Sequence, residues 1–201
     1  MVMMRGFRGA AASAILAASA IFAQAGMASA GPLAEAAAKA EGLAASGDAI
    51  GAHDVLRQAI SDFSESLPFS LGKAVFVKSD PAGYAMYEPK EEPVFKAGES
   101  LISYVEPIGL SWKQSAVQGK IETHFTVDFD ILNPAGDVLA GQKAFGDFTF
   151  TGFFRNQEIY STLTIDVSDA PAGDYILRFH FNDVNSGKRT SIDQPFKIAE
   201  N

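Results

Sequence analysis

The residues of this sequence that could do chemistry are its histidines, its carboxylates and one Ser-Gly-Lys triplet. His124 and His180 each sit in a stretch that alternates polar and apolar residues, and Glu122 and Asp128 flank His124. Imidazole and carboxylate both suit zinc, so these side chains could hold a divalent cation. The two stretches would have to be neighbouring strands in one particular register, because a slip of one residue turns a side chain to the opposite face. In any other register they are a solvated sheet face. Ser186-Gly187-Lys188 resembles the end of a phosphate loop, but that loop needs glycines before it and a helix after it. Here Arg189 and the strand-like TSIDQPFKI follow, so VNSGK is read as a hairpin turn. No Gly-x-Ser-x-Gly is present for a serine nucleophile, and the carboxylates lie on alternating stretches without a sign of a paired cleft. The chain has no cysteine, which excludes thiolate metal sites, disulfides and a cysteine nucleophile. The expectation is therefore no catalytic site, no cofactor and no metal.

Aromatic residues are the better candidates. FKAGESLISYVEPIGLSW carries Tyr104 and Trp112 near Glu99 and Glu106, and they could line a ligand groove or simply pack a strand and its loop. In AFGDFTFTGFFRN, Phe148 and Phe150 have strand spacing and read as core. Phe153 and Phe154 are adjacent, so on a regular strand they point opposite ways. A turn at Gly152 would leave at least one ring to be covered, either by the N-terminal helices or by a partner. Phe153, Phe154, Trp112 and Tyr104 are the predicted interaction residues.

The elements that must position these side chains begin after a leader. MVMMRGFRG holds two arginines and no acid, an apolar run AAASAILAASAIFA follows, and ASA closes at Ala30. That order predicts a signal peptide over residues 1–30, cut before Gly31, with a second potential cut after Ala25. The apolar run is shorter than the roughly 20 residues a spanning helix needs. No later stretch is apolar enough to span, so the mature chain is expected in the periplasm or outside the cell. The formal charge is -8, and losing Arg5 and Arg8 with an acid-free leader makes it -10. Phosphate backbones repel so acidic a chain, which argues against nucleic acid.

Residues 31–68 are alanine-rich and predict a helical hairpin split at SGD, with Asp48 as N-cap. Val55, Leu56, Ala59, Ile60 and Phe63 form an apolar stripe that must pack on something, and the following domain is the expected partner. From Pro68 onward the period becomes two. In GKIETHFTVDFDIL, residues Ile121, Thr123, Phe125, Val127, Phe129 and Ile131 face inward; EIYSTLTIDV and DYILRFHF repeat the pattern. Further strands are expected at Lys73–Lys78, Ser100–Glu106, Val138–Phe145 and Ser191–Ala199. Pro-Ala-Gly recurs at 81–83, 134–136 and 171–173 as turn chemistry.

Tyr175 opens a strand just after the PAGD corner, where Greek-key sandwiches place a tyrosine bonded back to the corner. With FKAGESLISYVEP before it and SGKRTSIDQPFKI after it, Phe95 to Ile198 resembles the immunoglobulin-like domains of an uncharacterised family of exported bacterial proteins. The resemblance implies an antiparallel immunoglobulin-like β-sandwich over residues 69–201 and carries no functional residues. The expected function is non-catalytic protein–protein contact in the periplasm. Binding of a small ligand or glycan through exposed aromatics is the alternative.

Overall fold

The computed structural model of the protein describes residues 31–200, and the expected leader lies outside the described residues. Two helices come first, α1 (Pro32–Ala45) and α2 (Ala49–Ser66). Pro32 sits in the first turn of α1, where its missing N–H has no partner to lose. The break between the helices is local chemistry. Gly47 adopts a φ of 89°, and Asp48 caps α2 by accepting the Gly51 N–H at 2.9 Å.

Nine strands follow: β1 (Ser70–Phe76), β2 (Val94–Phe95), β3 (Leu101–Ile108), β4 (Lys113–Gln114), β5 (Ile121–Leu132), β6 (Val138–Gly152), β7 (Ser161–Ile165), β8 (Gly173–Asp183) and β9 (Arg189–Ile198). They form a three-stranded sheet, β1-β3-β7, and a six-stranded sheet, β2-β9-β8-β5-β4, in which β6 also pairs with β5. Every pairing is antiparallel except β2 with β9. The described residues are thus mainly β, with two helices ahead of the strands. The strands β2 and β4 have two residues each, too few to show a period in the sequence. Thr123, Phe125, Val127 and Phe129 of β5 are buried as the alternation requires. A register shift against β6 then leaves Ile131 half-buried and turns Leu132 inward.

Both sheets share one core. Leu101, Val105, Leu163 and Ile165 of the small sheet join Phe125, Val127, Leu177, Phe179 and Phe181 of the large one. Burying each such side chain contributes roughly 1.5–3 kcal/mol. Across this core the Ser103 hydroxyl donates to Gln194 Oε1 at 2.9 Å, so two buried polar groups from opposite sheets satisfy each other. The VNSGK segment is the turn from β8 to β9. Asp183 is buried there, and its carboxylate accepts the Ser111 and Asn185 N–H groups and the Ser186 hydroxyl.

The hairpin does not sit on the sandwich as its stripe suggested. The Ser61 hydroxyl of α2 shares its proton between the Arg57 carbonyl of its own helix at 2.9 Å and the Arg155 carbonyl at 3.0 Å, and the Arg155 guanidinium pairs with Asp62 and Glu65. At about 100° per residue, Ala59 and Phe63 lie on the far side of α2 from Ser61. The polar edge of α2 docks, and the apolar stripe turns to α1 and to solvent. The alanines of α1 are too small to cover it, so Leu56, Ile60 and Phe63 stay 40%, 51% and 50% exposed.

Tyr175 closes the corner that its position indicated: its hydroxyl donates to the Pro171 carbonyl at 2.8 Å while its ring stacks on Phe196. Replacing Tyr175 by Phe keeps the ring and removes that bond. The expected loss is about 0.5–1.5 kcal/mol, read as a lower denaturation midpoint at unchanged slope. Equal midpoints would show that the corner bond contributes nothing.

Candidate functional site

Three of the four predicted interaction residues meet at one place. β6 ends at Gly152, and the chain bends through Phe153 and Phe154 before Arg155 reaches α2. A Cβ on Gly152 would stand 3.3 Å from the Phe154 carbonyl oxygen, so the bend is tight. The resulting open cleft of about 530 Å³ is lined by Gln58 and Glu65 of α2, Trp112, Lys113, Gln114, Phe153, Phe154 and Arg155. Trp112 is partly buried against the core and forms the inner wall. Phe153 is 77% exposed. Phe154 is partly covered by the Arg57 guanidinium, 4.4 Å from its ring centre. Lys120 stands 5.3 Å from the Phe153 ring. Cations above ring faces are worth about 0.5–1 kcal/mol at exposed sites, enough to orient the rings and too little to remove them from solvent. The answer to the question of cover is therefore mixed: α2 shields Phe154 in part, and Phe153 is left open.

Tyr104 lies elsewhere and is fully buried, so its ring packs the fold. Its hydroxyl donates to Glu106 Oε1 at 2.7 Å and accepts the Ala85 N–H at 2.8 Å, while Tyr87 and Tyr160 flank the ring. Burial, reinforced by Glu106, pushes the phenol well above its ordinary pKa. The segment that covers Tyr104 includes Ala85 at a φ of 57°, a left-handed conformation that a non-glycine residue adopts only when its surroundings hold it there.

The histidines share a sheet face without sharing a site. His180 pairs with Asp128 across β8 and β5, whereas the His124 carbonyl accepts the Val184 N–H four residues further along β8. At roughly 3.3 Å per residue that separation is about 13 Å, too far for one metal. His124 instead contacts Asp147 at 2.7 Å. Among the described residues no group of three or more histidines and carboxylates is placed to hold a metal. Asp128 accepts the Ala144 N–H at 2.7 Å. Burial pushes its carboxyl upward, but that bond and the nearby Lys143 ammonium hold it below the ordinary value. His180 does join a serine and an acid, with Nδ1 2.8 Å from Ser191 Oγ and Nε2 2.9 Å from Asp130. The three stand on adjacent strands of an open sheet face, and none of them lines the Trp112–Phe153–Phe154 cleft.

Arg57, Gln58, Glu65 and Arg155 were not among the predicted residues. For Arg57 and Glu65 the one sequence signal is the polar face of α2, where Arg57, Ser61 and Glu65 recur every four residues, and Arg155 has none.

No family model matches the chain, and no curated protein matches it. Two of the solved structures that match show weak likeness. One is a family 123 glycoside hydrolase from Clostridium perfringens, at 13% identity and a TM-score of 0.35, covering 54% of this chain and 23% of that one. The other is an alkylpurine DNA glycosylase of Pseudomonas fluorescens bound to DNA, at 9% identity and a TM-score of 0.35, covering 81% of this chain and 42% of that one. The chain thus spans less than half the length of either.

Arg155→Ala should release the hairpin while leaving the sandwich folded. Amide hydrogen exchange would then rise in α2 and around Trp112 but stay unchanged in β5 and β8. Unchanged protection in α2 would show that other contacts hold the hairpin.

Proposed function

We propose that this is a non-catalytic exported protein whose immunoglobulin-like sandwich and helical hairpin together form a protein-contact surface at the Trp112–Phe153–Phe154 cleft. The observation that carries the reading is Phe153, a large apolar ring 77% exposed beside two further aromatics. Aromatic side chains with arginine are the groups that most often anchor protein interfaces. The immunoglobulin-like assignment rests on two sheets of order β1-β3-β7 and β9-β8-β5-β6 and on the Tyr175 corner. Export rests on the Arg5–Arg8 start, the apolar run and the ASA site of residues 1–30. Among the described residues no helix is long and apolar enough to cross a membrane.

A second reading has its own observation. The side-chain amides of Gln58 and Gln114 line the same cleft as Trp112, and amides beside an aromatic wall suit a glycan or another small polar ligand. Titration with neutral oligosaccharides, followed by the fluorescence of the single tryptophan, tests that reading directly.

The protein-contact reading has its own experiment. Phe153→Ser combined with Phe154→Ser should keep the wild-type denaturation curve and lose, by tenfold or more, a protein partner captured from periplasmic extract by the wild type. Equal capture of that partner by the double variant would remove this cleft as the contact site.

A further inference from the structure

The strand β6 runs for 15 residues and, among the described residues, pairs only with β5. Its other edge is open. A free edge exposes a row of backbone donors and acceptors, and folded proteins normally guard it with bulges and charge. The first part of β6 is guarded: Ala144 sits at a φ of 49° beside a register shift, and Lys143 precedes it. The later part, Gly146-Asp147-Phe148-Thr149-Phe150-Thr151-Gly152, has no bulge, and its one charge, Asp147, lies against His124.

The direction of its backbone groups follows from a neighbour. The His124 carbonyl accepts from Val184 of β8, so His124 turns its backbone groups away from β6. Its cross-strand partner Thr149 must then turn both its N–H and its C=O to the open side. Asp147 and Thr151, two residues either way, do the same. Phe148 and Phe150 point toward the core and stack on Phe125 at 5.1 and 6.1 Å, and Phe125 stacks on Phe181 at 5.8 Å. This aromatic row crosses β8, β5 and β6 and stops, half-buried, at the open edge.

We propose that a second copy of this chain fills the edge, with β6 pairing antiparallel to β6 about Thr149. A twofold interface needs residue i to meet j and j to meet i, and this segment is nearly palindromic about Thr149. Thr149 meets Thr149 of the second copy, Phe148 meets Phe150, Gly146 meets Gly152, and Asp147 meets Thr151. Thr149, Asp147 and Thr151 exchange main-chain hydrogen bonds, and the phenylalanine row continues into the second molecule. No like charges face each other, because the only charge of the segment, Asp147, meets a hydroxyl and already has His124 at 2.7 Å. The pairing does not depend on the proposed contact at Phe153 and Phe154.

Sedimentation equilibrium of the purified protein tests it. The wild type should show a concentration-dependent monomer–dimer equilibrium. Thr149→Pro removes an N–H that β5 does not use, a position where an edge strand tolerates proline, and should be monomeric at concentrations where the wild type is dimeric. Thr149→Lys keeps the N–H and sets two ammonium groups opposite each other, so it should also be monomeric and decides the matter if the proline variant fails to fold. Phe153→Ser with Phe154→Ser should still dimerise. A wild type that stays monomeric, a folded Thr149→Lys that still dimerises, or a dimer lost only on Phe63→Ser in the exposed apolar stripe of α2 would each overturn the proposal.

Discussion

The guanidinium of Arg155 decides where the hairpin sits. It reaches Asp62 and Glu65 on successive turns of α2, while its own carbonyl accepts from Ser61. A planar fork suits two carboxylates at once, which a lysine could not serve equally well. The anchor selects the polar edge of α2 against its apolar stripe. Two consequences follow from that choice. The cleft of Trp112, Phe153 and Phe154 exists only because α2 forms one of its walls. The opposite face of the hairpin keeps an apolar groove of about 790 Å³, lined by Leu33, Ala36, Val55, Ala59 and Phe63.

Charge around the cleft is arranged with similar economy. Arg57 lies over Phe154 and Lys120 over Phe153, while Arg57 also pairs with Asp54 and Lys113 with Glu122. Each cation therefore has a carboxylate or a ring, or both, as its neighbour. Exposed pairs of this kind contribute little to stability, typically below about 1 kcal/mol. Their effect is positional: they orient rings that stay open to solvent.

Local chemistry was legible in the sequence wherever its partners were near in the chain. Asp48 caps three residues ahead, Tyr175 bonds four residues back, and the alternation in β5 and β8 sorts inward from outward side chains without outside help. Phe153 and Phe154 were legible because two adjacent aromatics cannot both follow a strand's alternation. What depended on distant partners was hidden. Ser61 meets a carbonyl 94 residues away, and no local pattern announces it. Tyr104 looked available because the residues that cover it, among them Ala85 and Tyr160, reach it through loops. The separation of His124 from His180 follows from strand register, which hydrophobic pattern alone does not fix to the residue.

The central claim is that a protein partner meets the cleft at Phe153. Photo-cross-linking in intact cells tests it most directly, with a benzoyl-phenylalanine at position 153 and, in a second strain, at position 63 in the hairpin groove. A discrete adduct from position 153 to a protein other than a second copy of this chain, and none from position 63, is the predicted result. An adduct from position 63 with none from position 153 would contradict the account and move the contact to the apolar face of the hairpin.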